Sequence, residues 1–73
     1  MFSYEVLLGV DRAARDTGRR ITMEVRESDA LSAAITAERK ADAVLNNPVE
    51  YTHAMDVKPV VQPVAAAALA IAA

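Results

Sequence analysis

Two separate segments of this chain show a regular alternation of apolar and polar side chains. Over residues 2–10 every even position is apolar, and most odd positions are polar or glycine. Over residues 20–26 the alternation is uninterrupted. A period of two is typical of β-strands with one buried face, so we predict two half-buried strands that pair antiparallel. The polar segment between them, residues 11–19, predicts a hairpin loop longer than two residues, with Gly18 at positive φ.

After residue 28 the apolar positions recur with a helical period. We predict a helix over residues 29–40, with Ser28 or Asp29 as its N-cap. The Asn-Asn-Pro sequence at residues 46–48 would end any continuation, because the residue before proline avoids the α region and Asn tolerates the left-handed region. The helix face expected to lie on the sheet carries Ala30, Ala33, Ala34, Ala37 and Ala41, flanked by Leu31 and Ile35. The side chains expected to point to water are Glu38, Arg39, Lys40 and Asp42.

Residues 49–58 alternate again and predict a third strand. The side chains expected on its buried side are Val49, Tyr51, His53, Met55 and Val57. The resulting β-β-α-β order predicts an α+β fold. In this fold a three-stranded antiparallel sheet with strand order 2-1-3 is covered on one face by the helix, and the most apolar strand is central.

One helix can cover only one face of such a sheet, so the two faces are predicted to differ. The residues expected beneath the helix are Tyr4, Val6, Leu8, Ile21, Met23 and Val25. The residues expected to face solvent are Ser3, Glu5, Leu7, Thr22, Glu24, Thr52 and Asp56. The two edge strands present unpaired backbone groups, and an edge of this kind can accept a partner strand.

A chain of 73 residues forms one domain with a small core. We predict a single domain over residues 1–59, followed by a Pro/Ala-rich tail over residues 60–73. The tail is expected to be disordered, because prolines interrupt it and a helix this short is marginal in water. The alternative is a helix that forms when the tail binds a partner. The tail is too short to span a membrane and no signal peptide opens the chain, so a cytoplasmic location is expected.

The residue inventory argues against catalysis and metal binding. The sequence has one histidine and no cysteine, and no residues have the spacing of a catalytic or metal site. We therefore expect no enzymatic activity, no catalytic, metal-binding or cofactor-binding residues, no cofactor and no small-molecule substrate. His53 is expected to pack against the core. The formal net charge of −2 disfavours nucleic-acid binding, and Tyr4 and Tyr51, on the predicted core side, are not expected to stack on bases.

Binding to another protein is the function that these features favour. Four arginines lie in or beside the hairpin loop, and arginine is enriched where interfaces carry most of their binding energy. Interleaved Asp11 and Asp16 offset this charge, so a solvated loop with local ion pairs would show the same pattern. We expect the loop and the open sheet face to form the contact surface. The predicted partner-binding residues are Leu7, Arg12, Arg15, Arg19, Arg20, Thr22, Glu24 and Arg26.

By its 73-residue length, its Met-Phe-Ser-Tyr-Glu-Val start and its Ala/Arg-rich composition, the whole chain resembles the small RNA-polymerase-binding transcription regulators of lytic Xanthomonas phages. The resemblance implies a phage protein in the host cytoplasm that binds host RNA polymerase near the N-terminus of the β′ subunit. It also implies inhibition of initiation through weaker association of the sigma factor, and antitermination. Because no motif carries the resemblance, it transfers no interface residues.

The residues leave two alternatives open. One is a small nucleic-acid-binding module that uses the loop from Arg12 to Arg20, whose affinity would fall steeply with salt. The other is a self-associating structural protein that pairs edge strands or tails. We expect a monomer when the protein is free, and a monomer at high concentration would count against self-association.

Overall fold

The computed structural model of this chain describes residues 1–60. In chain order, they form strand β1 (Phe2–Arg12), strand β2 (Arg15–Glu27), helix α1 (Ala30–Leu45) and strand β3 (Glu50–Pro59). The strands form one antiparallel sheet with the order β2-β1-β3, which confirms the predicted α+β fold and strand order. No helix within residues 1–60 has the length and hydropathy that a membrane crossing requires. Apart from Val60, the predicted tail over residues 60–73 lies outside the described residues.

The hairpin between β1 and β2 is tighter than the sequence predicts. Arg12 pairs with Arg15, so the turn consists of Ala13 and Ala14 alone, with φ of 52° and 62°. Two consecutive left-handed residues define a type I′ turn, whose twist matches that of the flanking strands. The predicted longer loop over residues 11–19 is therefore wrong, because the polar residues on both sides of the turn belong to the strands.

Gly18 has positive φ, as predicted, but it lies in an irregular part of β2 and not in the turn. Its φ is 84°, and the register between β1 and β2 shifts just after Gly9, where β2 accommodates extra residues. The Thr17 hydroxyl donates to the Val10 carbonyl at 2.8 Å, and the Gly18 N–H donates to Asp16 Oδ1 at 2.9 Å. These bonds satisfy local polar groups where the regular ladder is interrupted.

Helix α1 contacts the sheet through a stripe of alanines. Asp29 is its N-cap and accepts a hydrogen bond from the Ser32 N–H at 2.8 Å, which lowers the pKa of the Asp29 carboxyl. Asn46, in the left-handed region with φ of 45°, ends the helix as predicted. Leu31 and Ile35 are exposed flanks of the stripe. The core comprises Val6, Leu8, Val25, Ala33, Ala37 and Ala41, with Tyr4, Ile21, Met23, Ala54 and Val57 packed against it.

Strand β3 contains a β-bulge that its sequence does not reveal. The adjacent β1 residues Leu7 and Leu8 pair with Asp56 and Ala54, so Met55 is an extra residue in β3. One extra residue moves every later side chain of a strand to the opposite face. The uninterrupted alternation that the sequence predicts for residues 49–58 is therefore wrong.

The bulge reverses the predicted faces of β3 for the residues that precede it. Thr52, predicted to face solvent, is 6% exposed, whereas Tyr51 and Met55, predicted to be buried, are 45% and 46% exposed. His53 pairs with Gly9 of β1 and lies on the uncovered face of the sheet, together with Tyr51 and Met55. Val57, after the bulge, packs against the core as predicted.

Two carboxylates of α1 hold β3 in this arrangement. Asp42 accepts hydrogen bonds from the N–H and the hydroxyl of Thr52 at 2.7 and 2.9 Å. Glu38 accepts a hydrogen bond from the N–H of Ala54 at 2.8 Å. Asp42 is exposed, as predicted, whereas Glu38 is half-buried. Both satisfy backbone donors that β1 does not pair, a role that the sequence does not predict.

We expect Asn-Gly to stabilise the turn when it replaces Ala13 and Ala14. Asn and Gly adopt the left-handed region at lower cost than alanine, for which it is unfavourable by roughly 1–2 kcal/mol per residue. The double variant Ala13→Asn/Ala14→Gly should therefore raise the free energy of unfolding by about 1 kcal/mol or more. Urea unfolding followed by circular dichroism would show a higher midpoint at an unchanged slope.

Ala43→Gly is the matched control, because Ala43 is exposed in a right-handed helix. There the substitution should lower the free energy of unfolding by about 1 kcal/mol. A turn variant with an unchanged or lower midpoint would show that the Ala-Ala turn is not left-handed.

Candidate binding face of the sheet

The sheet face opposite α1, called the open face below, is built from rows of side chains that cross β2, β1 and β3. By register, the rows are Glu24-Glu5-Lys58, Thr22-Leu7-Asp56, Arg20-Gly9-His53 and Asp16-Asp11-Tyr51, with Arg26 and Ser3 at one end. The bulged Met55 also lies on this face, because its sulfur is 3.1 Å from the position that a Cβ on residue 9 would occupy. The open face is therefore polar at its margins and contains apolar side chains near its centre.

The imidazole of His53 lies over Gly9 at the centre of the open face. A Cβ on residue 9 would be 2.6 Å from His53 Cε1 and 2.9 Å from His53 Nε2, which is closer than packed atoms approach. Glycine at this position is what allows the ring to lie against the strand. Nδ1 of His53 is 2.6 Å from Oδ2 of Asp11. Because an ionised carboxylate only accepts, Nδ1 donates, and Asp11 fixes the orientation of the ring.

The residues around this pair are accessible. The side chain of His53 is 40% exposed and that of Asp11 is 16% exposed. Tyr51 and Met55 are exposed on the same face, and Leu7 is half-buried there. An imidazole of fixed orientation is therefore surrounded by aromatic, thioether and aliphatic groups that a partner could contact.

A bidentate ion pair borders this centre. Both terminal nitrogens of Arg20 donate to the carboxylate oxygens of Asp16, each at 2.9 Å. These bonds and the N–H of Gly18 lower the pKa of Asp16 to about 2, with Arg20 as the larger cause. The Asp16 bond raises the pKa of Arg20 in turn. Bidentate pairing holds the planar guanidinium in a defined orientation.

The structure divides the predicted partner-binding residues between the two sides of the sheet. Arg12 and Arg15 pair beside the turn, one position beyond the Asp11 row, and therefore lie on the helix side. Arg19 extends to the same side, where it bonds Glu50 at 3.5 Å. The loop and the open face are thus not one continuous basic surface. The predicted residues that the structure brings together on the open face are Leu7, Arg20, Thr22, Glu24 and Arg26.

Acidic side chains outnumber basic ones on the open face. The acidic residues are Glu5, Asp11, Asp16, Glu24 and Asp56, and the basic residues are Arg20, Arg26 and Lys58. Two of the basic groups are engaged locally, Arg20 with Asp16 and Lys58 with Asp56 at 3.6 Å. Such a face repels a phosphate backbone and complements a surface with basic groups.

Sequence reasoning missed four residues of the open face, namely Asp11, Tyr51, His53 and Met55. The last three were assigned to the core because the bulge in β3 is not visible in the alternation. One signal could have indicated the site, since a glycine inside an apolar strand often marks a close approach by another group. That signal is Gly9, but the group that approaches it depends on how β1 and β3 pair.

The His53–Asp11 pair supplies a hydrogen-bonding group of fixed orientation. Among residues 1–60, Asp11 is the only side chain that hydrogen-bonds to His53, so no hydroxyl is held against Nε2 for proton transfer. The same part of the chain contains no group of three or more side chains that could hold a metal ion. The arrangement is suited to recognition of a partner group at Nε2.

A groove with a volume of about 510 Å³ lies at the other end of the sheet. Its lining includes Phe2, Tyr4, Arg26 and Pro59. It adjoins the Arg26 and Ser3 end of the open face and lies away from the His53–Asp11 pair, so the centre of the open face is the stronger candidate site.

Fold and site together define a small α+β domain with one covered and one open sheet face. Comparison of the chain with protein-family models, curated proteins and solved structures found no match. The function is therefore argued from the open face itself.

We expect Gly9→Ala to displace His53 from the strand. The new methyl group would overlap the imidazole, and the partly exposed ring can turn toward solvent at the loss of its bond to Asp11. Loss of NMR cross-relaxation between the His53 ring and residue 9 would report the displacement.

The same change in a His53→Ala background is the control, because the imidazole is then absent and the flexible Met55 side chain, whose sulfur would lie 3.1 Å from the new Cβ, needs to shift by only a few tenths of an ångström. There Gly9→Ala should be neutral or stabilising by roughly 0.5–1 kcal/mol, since glycine costs more backbone entropy than alanine. In the native background, Gly9→Ala should change the free energy of unfolding by about 1 kcal/mol less favourably than in the His53→Ala background. This difference is the typical contribution of one hydrogen bond, here the His53–Asp11 bond. Equal effects in both backgrounds would be inconsistent with the contact.

We expect Arg20→Gln to raise the pKa of Asp16 from about 2 toward its ordinary value of 3.8. The depressed pKa stabilises the fold above pH 3.8, and this contribution is lost as the pH falls through about 2. In the variant the folded and unfolded pKa values of Asp16 approach each other, so this contribution to stability should be smaller. NMR titration of the Asp16 carboxyl carbon measures this pKa. Arg15→Gln is the control, because it changes a hairpin arginine without removing a bond to Asp16, and the Asp16 pKa should stay at about 2. An Asp16 pKa near 2 in Arg20→Gln would refute the assignment.

Proposed function

We propose that this domain is a protein-binding module that acts by occupying a surface of a larger protein with its open face. The observation that carries the proposal is the centre of this face, where Tyr51, Met55 and Leu7 surround the oriented His53–Asp11 pair. Accessible aromatic and thioether side chains beside a fixed polar group are typical of the residues that anchor protein interfaces.

The charge of the open face favours a basic protein surface over nucleic acid as the partner. Tyr51 is accessible, so its position no longer argues against stacking on bases. The acidic excess on the same face does, because nucleic-acid binding depends on neutralising phosphates. A patch that combines lysine or arginine with apolar side chains would complement both the acidic rows and the apolar centre.

A module of this kind changes its target through differential affinity. It shifts an equilibrium between two states of the target only by as much as it binds one state more tightly than the other. A small domain that needs no chemistry of its own can act in this way by competing for a surface that another factor requires.

Host bacterial RNA polymerase is the specific partner in this proposal, and its support is the resemblance of the whole chain to phage transcription regulators. On this hypothesis, the domain binds near the N-terminus of the β′ subunit, weakens sigma-factor association and promotes antitermination. Because coupling between two ligands is reciprocal, the domain should bind the core enzyme more tightly than the sigma-containing holoenzyme.

Binding to purified polymerase tests the partner. The full chain, immobilised, should retain core enzyme with higher affinity than holoenzyme, and added sigma factor should reduce the retention. Absence of binding to either form would remove RNA polymerase as the partner. DNA and RNA of matched length at low salt serve as the comparison, since strong salt-dependent binding to them would favour the nucleic-acid alternative.

Single substitutions test the face. We expect Tyr51→Ala and Met55→Ala each to weaken polymerase binding by about tenfold or more, as central interface residues do. Leu31→Ala is the matched control, because Leu31 is 73% exposed on α1 and its truncation removes apolar surface away from the open face. Arg15→Ala tests the helix side of the hairpin. If Leu31→Ala or Arg15→Ala weakens binding as much as the open-face variants, the interface lies elsewhere.

A further inference from the structure

The two edges of the sheet differ in whether another strand can pair with them. On β3, the N–H groups of Thr52 and Ala54 already donate to the carboxylates of Asp42 and Glu38. On β2, within the part of the chain that is described, Arg20 and Glu27 form hydrogen bonds through their side chains, and no side chain bonds the backbone of residues 20–27. Occupied backbone groups prevent strand addition, so β3 is blocked and β2 is available.

The sequence of the β2 edge matches a second copy of itself. When two identical strands pair antiparallel about a two-fold axis, each residue faces the one equally far from the centre on the other side. With Thr22 at the centre, Arg20 of one copy faces Glu24 of the other, and this contact occurs twice. Ile21 faces Met23 on the helix side, where both side chains are only half-buried in the single chain.

Other centres give poorer pairing. A centre at Arg20 or at Glu24 places each of these charges opposite itself, and a centre at Met23 places Arg20 opposite Arg26. Like charges directly opposite one another destabilise a strand pair. A centre at Ile21 avoids repulsion but gives Arg20 no acidic partner. A centre at Val25 places Glu24 opposite Arg26, but it pairs only residues 23–27 before β2 ends and puts Met23 opposite Glu27. The arrangement centred on Thr22 combines opposite charges with the Ile21–Met23 apolar contact over a longer segment.

This register also relieves a like-charge contact inside each chain. Glu5 and Glu24 face each other directly across β1 and β2 on the open face. Lys58 lies beside Glu5 on the far side, so Glu24 has no cation next to it in its own row. In the paired arrangement, Arg20 of the second copy, which also bonds its own Asp16, lies beside Glu24 and reduces this repulsion.

In contrast to the monomer expected from the sequence, we infer that two copies of this chain pair through β2, antiparallel and centred on Thr22. The product is a six-stranded sheet with both helices on one side and both open faces on the other. The irregular segment around Gly18 interrupts β2, so the paired segment is short and the dimer is weak and concentration-dependent. This inference is independent of the proposed function, because it concerns an edge of the sheet and needs no other protein.

Disulfide cross-linking tests the register directly, because the chain has no cysteine of its own. Residues at the centre of an antiparallel pair have Cα atoms about 4.5–5.5 Å apart, which a disulfide can bridge. Under mild oxidation, Thr22→Cys should form covalent dimers at least about tenfold faster than Asp56→Cys, which lies in the same row on β3. Equal rates for the two variants would overturn the inference.

Charge reversal tests the pairing without a covalent bond. Sedimentation equilibrium of the full chain from about 10 μM to about 1 mM, the range of weak interfaces, should show the mass rising toward a dimer. In Arg20→Glu, acidic side chains at positions 20 and 24 of the two copies face each other. In Glu24→Arg, basic side chains face each other at the same positions. Each variant alone should therefore be monomeric. An equimolar mixture of the two should dimerise again. A native chain that stays monomeric throughout, or a mixture that does not associate, would overturn the inference.

Discussion

The contact between the alanine stripe of α1 and the apolar side of β1 and β2 is the interaction on which the rest of the structure depends. Ala33 and Ala37 are completely buried against Val6 and Leu8. Small side chains allow the helix to lie close to the sheet, and close approach lets two helix carboxylates reach the backbone of β3. One helix covers one face, so the same contact that forms the core leaves the opposite face free for binding.

The elements that were predictable are those whose local pattern agrees with their final environment. Two alternating segments predicted β1 and β2, and an alanine-rich helical stripe predicted α1. The β-β-α-β order of the elements then predicted the strand order. The turn at Ala13 and Ala14 was not predictable, because alanine carries no turn signal and adopts the left-handed region only where the strands require it. The face of Thr52 was mispredicted because its burial depends on Asp42, ten positions earlier in the chain, and on the bulge at Met55.

The candidate site likewise contains a part that local pattern predicts and a part that it does not. Its β1 and β2 residues follow from alternation, whereas its centre requires the pairing of distant segments. The contact of His53 with Asp11 and Gly9 exists only in the register that the bulge imposes. Once β3 is placed, the binding surfaces separate by type: the open face offers an oriented imidazole among apolar groups, β2 offers a free edge, and β3 is closed by the helix.

The central claim is that β3 turns His53 and Tyr51 to the open face and Thr52 toward α1. Proton–proton cross-relaxation in the NMR spectrum of the free protein tests it most directly. The account expects contacts of the His53 ring with the α-protons of Gly9, and of the Thr52 side chain with the Glu38 turn of the helix. Contacts of the His53 or Tyr51 ring with the methyl groups of Ala37 or Ala41 would contradict it.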